Sequence, residues 1–305
     1  MTYCNAIVSD GRGQYEIKSV DVGEPGEGEV KVKLKAAGIC HTDWDSINTW
    51  DRPFIVGHEG AGVITQIGNN VTDVEVGDHV ILNWAVHCGK CHQCQEGNIH
   101  ICSNFSPVTG NGSGGYAHGM ATTLDGVPIE RAFYLGTMSE YTIVKDQALV
   151  KIPQNVPFES ASIIGCGVMT GFGSVVNAAK VSVGSSVCVI GCGGIGLNVI
   201  QAAKLAGASK IIAIDISNKK LDAAIYFGAT HKLKSDKTDR KLSHVIQKVY
   251  ELTDMKGADY AFECTAIPEL GAAPLALVKN SGTAVQVSGI EQEILFDCTL
   301  FEWDK

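Results

Sequence analysis

Ser186-Val-Cys-Val-Ile-Gly-Cys-Gly-Gly-Ile-Gly196 is the stretch of this sequence that decides its fold. It opens with a short apolar run that is typical of a buried strand, and the glycines that follow are spaced as G-x-G-x-x-G. Apolar residues recur at helical spacing through Leu197–Leu205, and Lys210–Ile214 is the next apolar run. A strand, a glycine turn, a helix and a second strand in this order predict a parallel unit with a right-handed crossover.

The same alternation continues toward the C-terminus. Lys219–Phe227 has the helical pattern, while Asp259–Phe262 and Thr283–Val287 are short runs that favour strands. The alternation begins after about Pro157, so the second half is predicted to be an α/β domain with a doubly wound parallel sheet.

The first half is predicted to be mostly β. Glu29–Lys35 alternates between charged and apolar residues, which predicts a strand with these side chains on opposite faces. Gly62–Ile67 and His79–Leu82 fit further strands. Cys102–Leu135 has little periodic pattern and is dense in Gly, Ser, Asn and Thr, so we expect a long surface excursion there.

Length and composition indicate a compact enzyme with two domains. A chain of 305 residues is too long for one ordinary core, and 45% hydrophobic with 19% charged residues suits globular domains. The net charge of −9 comes without a basic cluster that could neutralise several phosphates, which argues against nucleic acid as a partner. The sequence shows neither a basic leader followed by an apolar run nor an apolar stretch of membrane-spanning length, so we expect a cytoplasmic protein without membrane contact.

Four cysteines form the strongest local motif. Cys88, Cys91 and Cys94 are three residues apart, and Cys102 follows in the same polar loop. Four thiolates complete a tetrahedral zinc shell and leave no position for a substrate, so this site is predicted to be structural. Unpaired or disulfide-forming cysteines are the alternative, which a reducing compartment disfavours. The neighbouring histidines are expected to face solvent or to lie behind the ligands; they are His87, His92 and His100.

A second metal site is dispersed along the chain. Cys40 and His58 lie in glycine-flanked segments, and Cys166 stands between two glycines. A catalytic zinc takes three protein ligands and keeps one position open, and a Cys, His, Cys set is one such arrangement. Each residue taken alone is equally compatible with a packed core side chain.

The glycine turn predicts a dinucleotide site. Gly191, Gly193 and Gly196 follow a strand and open a helix, where backbone N–H groups receive a pyrophosphate. Asp215 closes the next strand, 19 residues beyond Gly196, where its carboxylate can bind the adenosine ribose and repel a 2′-phosphate. NAD is therefore favoured over NADP. Lys220 either supports the same ribose or is an ordinary exposed helix lysine.

Together the motifs resemble those of a known enzyme family. Gly38-Ile-Cys-His-Thr-Asp43, Gly57-His-Glu59, the four-cysteine loop and the glycine turn are similar to the motifs of zinc-containing medium-chain alcohol dehydrogenases of the liver type, in the same order. The resemblance implies a GroES-like catalytic domain over 1–165, with a structural zinc lobe at about 86–104. It implies a Rossmann domain over 166–305.

The resemblance also implies two zinc ions per chain, NAD and a set of residue roles. Cys40, His58 and Cys166 would hold the catalytic zinc, with Glu59 just behind the metal. Asp43 would orient the ligand histidine. Thr42 would accept the proton of the alcohol and pass it on, with a hydroxyl that only satisfies a local backbone group as the alternative. Cofactor contacts are implied for His41, Thr170, Gly191, Gly193, Gly194, Ile195, Gly196, Asp215 and Lys220. Trp84 is implied to line the substrate pocket, although a core tryptophan remains the alternative.

The implied reaction is hydride transfer between a primary alcohol, aromatic alcohols included, and NAD. The alternatives are a glutathione-adduct formaldehyde dehydrogenase, a polyol dehydrogenase, or a truncated inactive protein that binds zinc and NAD. Three departures limit the transfer of roles. Asp45 stands where a relay histidine is found, His41 stands where an arginine often contacts the pyrophosphate, and the family continues beyond Lys305. The chain is therefore expected to be a fragment of a protein that forms a homodimer when full length.

Overall fold

The computed structural model describes residues 2–106, 121–239, 241–290 and 292–296. The chain divides into two compact units, Met1–Cys166 and Gly167–Lys305. Within the described residues, no helix is long and apolar enough to cross a membrane.

The first unit is built of two sheets. Its strands are β1 (Thr2–Ser9), β2 (Tyr15–Val22), β3 (Glu29–Ala37), β4 (Phe54–Ile55), β5 (Gly60–Ile67), β6 (His79–Leu82), β7 (Thr122–Leu124), β8 (Val127–Pro128), β9 (Glu130–Arg131), β10 (Tyr141–Lys145) and β11 (Leu149–Lys151). One sheet has the order β8-β7-β2-β1-β4-β9 and the other the order β10-β3-β5-β6-β11. The helices are α1 (His41–Thr49), α2 (His92–Gln95) and α3 (Phe158–Ser162), with 3₁₀ turns at Ile99–Ile101, Ala132–Tyr134 and Asp146–Ala148. A π-helical turn spans Ile164–Val168.

Strand β3 departs from the predicted alternation. Val30 and Val32 are buried as expected, but Lys31 between them is only 4% exposed. Its ammonium group lies 3.3 Å from the carboxylate of Glu24 and 3.5 Å from the hydroxyl of Thr2. A buried lysine is tolerated here because a carboxylate and a hydroxyl accept hydrogen bonds from its ammonium group.

The predicted surface excursion is only partly correct. Residues 107–120 of this segment lie outside the described residues. Beyond them, β7 pairs with β2, and the segment that follows buries Ile129, Ala132 and Leu135 in the core. The strands β7 to β9 are too short to give a periodic pattern, so the sequence did not reveal them.

The second unit contains a parallel sheet, as predicted. Its elements are α4 (Met169–Gly173), β12 (Ser186–Ile190), α5 (Gly194–Leu205), β13 (Lys210–Asp215), α6 (Asn218–Phe227), β14 (His231–Lys234), α7 (Ser243–Leu252), β15 (Ala258–Glu263), α8 (Ala273–Leu277) and β16 (Val278–Gln286). A π-helical turn lies at Ser174–Ala178 and a 3₁₀ turn at Pro268–Leu270. In the order β14-β13-β12-β15-β16, the chain adds β13 and β14 on one side of β12 and then β15 and β16 on the other side. Ligands bind at such a reversal, beyond the carboxyl ends of the strands.

The glycine turn between β12 and α5 needs glycine for steric reasons. Gly191 has φ +89°, and a Cβ added there would lie 2.7 Å from the methyl group of Thr265. A Cβ on Gly196 would lie 1.8 Å from the carbonyl oxygen of Gly191, so the helix starts in direct contact with the turn. By contrast, Gly193 and Gly194 face open space, which leaves room for a ligand beside their N–H groups.

We therefore expect Gly196→Ala to lower the free energy of unfolding by about 1–3 kcal/mol, because the carbonyl of Gly191 cannot move without distorting the turn. Urea unfolding of the protein without cofactor measures the change. The matched control is Gly194→Ala, whose added methyl group meets nothing within 4 Å and should leave stability unchanged or raise it. Equal losses in the two variants would contradict the steric argument.

Candidate functional site

The first unit brings together the residues predicted to bind a catalytic metal. One ligand atom each from Cys40, His58, Glu59 and Cys166 lies within 4.8 Å of the other three. Cys40 precedes α1, the pair His58-Glu59 leads into β5, and Cys166 lies in the π-helical turn. Two sulfurs and an imidazole nitrogen at this separation fit a zinc ion with one further position.

Asp43 holds two of these residues in place. Its Oδ2 accepts a hydrogen bond of 2.9 Å from the backbone N–H of Cys40 and so caps helix α1. Its Oδ1 lies 2.8 Å from Nδ1 of His58, and both side chains are nearly fully buried. Since a carboxylate only accepts, Nδ1 donates, and Nε2 of His58 is left to bind a metal.

The charges of the cluster also favour a metal site. A hydrogen bond from Cys166, helped by His58, lowers the pKa of the Cys40 thiol to about 3. The same hydrogen bond with Cys40, together with burial, raises the pKa of the Cys166 thiol. Burial lowers the pKa of His58, but hydrogen bonds to Asp43 and Cys40 outweigh it and raise that pKa to about 9. Without a metal the cluster therefore retains protons that a zinc ion would displace.

Glu59 is kept beside the cluster by a glycine. Its side chain is 4% exposed. A Cβ on Gly38 would lie 1.9 Å from Oε2 of Glu59, so the carboxylate occupies the space above that glycine. This contact gives a physical reason for the glycine two residues before Cys40.

Thr42 and His41 lie in the first turn of α1 and are exposed. The hydroxyl of Thr42 lies 3.7 Å from the sulfur of Cys40, within reach of a group bound at the cluster. The imidazole of His41 lies 3.6 Å from the carboxylate of Asp45, one turn further along the helix.

The four-cysteine loop also forms a compact group. One sulfur each from Cys88, Cys91, Cys94 and Cys102 lies within 4.8 Å of the others, as a tetrahedral zinc shell requires. Backbone N–H groups of Cys91 and Phe105 point at the sulfurs of Cys88 and Cys102, at 3.3 Å in both cases. Hydrogen bonds from the backbone of Cys94 lower the pKa of Cys91 to about 6, so the loop favours a thiolate there. His87, His92 and His100 are not part of the group, and His92 pairs with Glu96.

Aromatic rings border the cluster on one side. The ring of Phe133 lies 4.7 Å from that of His58, and Trp84 meets Phe133 edge to face at 5.9 Å. Trp84 is half-buried and packs on the β3–β6 core as well, so it is both a core residue and a neighbour of the cluster.

The second unit has a cavity at the predicted nucleotide site. A cavity of about 250 Å³ lies beside the glycine turn and is lined by Gly191, Gly193, Asp215 and Lys220, among others. The carboxylate of Asp215 accepts hydrogen bonds of 2.8 Å from the N–H groups of Cys192 and Ser217.

The remaining predicted cofactor residues lie outside the lining of that cavity. Gly194, Ile195 and Gly196 form the first turn of α5. Thr170 lies in α4, where the next residue, Gly171, packs against α5.

Two groups of residues were missed by the sequence argument. Phe133 is adjacent to His58 only because the chain turns at Phe133 and Tyr134, which have φ of +53° and +62°. Cys264, Thr265 and Ile267 line the nucleotide cavity from the end of β15. Neither group forms a sequence motif. The residues at 264–267 could have been found only from their position directly after a predicted strand of the parallel sheet, where ligands bind.

Comparison with known proteins agrees with this geometry. Residues 26–154 match the profile of the alcohol dehydrogenase GroES-like domain, and residues 194–302 match that of the zinc-binding dehydrogenases. The S-(hydroxymethyl)glutathione dehydrogenase of Paracoccus denitrificans is 38% identical over 269 residues, which are 85% of this chain and 71% of that enzyme.

Two solved structures are also similar. The alcohol dehydrogenase zinc-binding domain protein of Burkholderia ambifaria has a TM-score of 0.87 and 31% identity, covering 98% of this chain and 81% of that one. The benzyl alcohol dehydrogenase of Acinetobacter calcoaceticus has a TM-score of 0.83 and 32% identity, covering 99% and 82%. The predicted fold class, a GroES-like domain followed by a Rossmann domain, is confirmed, and the predicted cofactors, zinc and NAD, are those of such proteins.

The double role of Asp43 generates a prediction. Asp43→Asn leaves the helix cap partly intact but replaces the charged acceptor of His58, so zinc affinity at the Cys40 cluster should fall about 10- to 100-fold. Competition with a chromogenic chelator measures the loss. Asp45→Asn, on the same helix, is the control and should keep wild-type affinity. Equal zinc affinity in wild type and Asp43→Asn would show that the carboxylate does not support the site.

Proposed function

This chain belongs to the zinc-containing medium-chain alcohol dehydrogenase family, and we propose that it oxidises primary alcohols to aldehydes with NAD as hydride acceptor. One observation carries the proposal: one ligand atom each from Cys40, His58 and Cys166 lies within 4.8 Å of the other two. These residues are separated by up to 126 positions in the sequence, and a packed core alone gives no reason for two thiols and an imidazole to meet.

Different residues of the chain would have different roles in this reaction. Cys40, His58 and Cys166 would hold a zinc ion, which when bound supplies Lewis acidity toward the alcohol oxygen. Thr42 would relay the hydroxyl proton, accepting it while it releases its own proton to solvent, since its side chain is exposed and its hydroxyl lies 3.7 Å from the sulfur of Cys40. Asp43 keeps the tautomer of His58 fixed throughout.

The choice of NAD follows from Asp215. Its carboxylate is 8% exposed and lies in the cavity beside the glycine turn. Two backbone N–H groups hold it in position, and its remaining lone pairs can accept from ribose hydroxyls. The same negative charge opposes a 2′-phosphate, so NADP should be a poor acceptor.

The aromatic border favours an aromatic alcohol as substrate. Phe133 contacts His58, and Trp84 packs edge to face on Phe133, so the two rings form apolar walls beside the cluster. A flat ring packs well against such walls, whereas a charged tripeptide gains nothing from them.

S-(hydroxymethyl)glutathione is the second candidate, because curated relatives such as the Paracoccus denitrificans enzyme carry that name. Its carboxylates would need a cationic partner. In the described part of the first unit, Arg12 pairs with Asp51 and Arg52 pairs with Glu130, while Arg131 is 5% exposed. The names of the curated relatives support this second candidate, whereas the aromatic rings beside His58 support the first.

Metal analysis combined with NADH formation tests the proposal. Wild-type protein should contain two zinc ions per chain and turn over alcohols, while Cys40→Ala should lose one zinc and all activity. Cys4→Ala, which changes a buried thiol elsewhere in the same unit, should keep both. Two zinc ions with no turnover of any alcohol or of formaldehyde with glutathione would refute the proposed activity.

The substrate class has its own test. Benzyl alcohol should be used with a kcat/KM about tenfold or more above that of ethanol, and Phe133→Leu should remove about tenfold of that kcat/KM while leaving ethanol nearly unchanged. Phe158→Leu is the control, because Phe158 stacks on His79 instead of the metal site. Faster turnover of formaldehyde with glutathione than of benzyl alcohol would favour the second candidate.

A further inference from the structure

The loop after β15 forms one wall of the nucleotide cavity. Cys264, Thr265 and Ile267 line this cavity, and the methyl group of Thr265 faces Gly191 of the glycine turn. The backbone N–H of Cys264 donates to the carbonyl of Ile190, at the end of the neighbouring strand. The position of this loop therefore decides the width of the cavity beside the glycine turn.

The loop adopts a conformation that needs support. Ala266 has φ +59°, a left-handed conformation that costs a residue with a Cβ of order 1–3 kcal/mol. The N–H groups of the three residues after Cys264 are each fixed by a hydrogen bond. That of Thr265 donates to Oε1 of Glu263 at 2.6 Å, that of Ala266 to the hydroxyl of Ser288 at 3.0 Å, and that of Ile267 to the hydroxyl of Thr265 at 3.1 Å.

Glu263 is the centre of this network. The side chain is completely buried at the end of β15. Besides the N–H of Thr265, its carboxylate accepts from the hydroxyl groups of Thr265 and Ser288 and, at 2.9 Å, from the amide of Gln286. Four donors converge on two oxygens, and only a group that accepts at both oxygens satisfies them all.

We propose that Glu263 is a positioning residue for the dinucleotide, which it does not touch: its carboxylate holds the 264–267 loop at the width that the cofactor requires. The inference rests on the proposed use of NAD by this unit. A glutamine at 263 would place an NH2 group where one oxygen now accepts from a hydroxyl and an N–H. The hydroxyl can turn to accept from the NH2 group, but the N–H would lose its acceptor. The loop would then shift, and the cavity wall with it.

Glu263→Gln tests the proposal by fluorescence titration with NADH and by steady-state kinetics. We expect NADH affinity to fall roughly 10- to 100-fold and KM for NAD to rise in parallel, with kcat at saturating NAD within about twofold of wild type. Zinc content should stay at that of wild type. Glu269→Gln, an exposed glutamate in the adjoining 3₁₀ turn, is the control and should bind NADH normally.

Unchanged NADH affinity in folded Glu263→Gln, or a loss confined to kcat, would overturn the positioning role. If that variant does not fold, Ser288→Ala removes the hydroxyl that links Ala266 to Glu263 and should weaken NADH binding severalfold; normal binding would overturn the role equally. Failure of the wild type to bind NADH would refute the proposed function itself, which separates the two outcomes.

Discussion

The carboxylate of Asp43 is the constraint on which the metal cluster of the first unit depends. It caps α1 through the N–H of Cys40 and holds His58 through Nδ1, at 2.9 and 2.8 Å. One carboxylate thus fixes the backbone of Cys40 and the side chain of His58, two of the candidate metal ligands. Because it is almost fully buried, water cannot replace either bond, and both remain strong in the low dielectric of the interior.

The second unit relies on a different constraint, the close approach of backbone to backbone at the glycine turn. Gly196 lies against the carbonyl of Gly191, and Gly191 lies against Thr265 in the loop that follows the neighbouring strand β15. By contrast, a Cβ added at Gly193 or Gly194 would meet nothing within 4 Å. Close packing on one side of the turn and open space on the other suit a site that receives a pyrophosphate at a helix N-terminus.

Resemblance to known enzymes and the local geometry inform different levels of the function. The family profiles and relatives establish a zinc-binding dehydrogenase with a GroES-like domain. Among the relatives and structures, names refer both to S-(hydroxymethyl)glutathione and to benzyl alcohol. The proposal of an aromatic alcohol rests on the rings beside the cluster, Phe133 and Trp84.

The sequence by itself predicted the parallel sheet, the glycine turn and the four-cysteine group, because each depends on local spacing. The dispersed set of Cys40, His58 and Cys166 was predicted only with the help of the resemblance to known enzymes, because each of these residues alone is also common in a packed core. Only the tertiary structure decided that Phe133 meets His58, that Lys31 is buried, and that Glu263 organises a cavity wall. These contacts join residues that are distant in sequence or that sit in irregular turns. Neither hydrophobic periodicity nor a sequence motif predicts such contacts, since they arise from how separate strands pack.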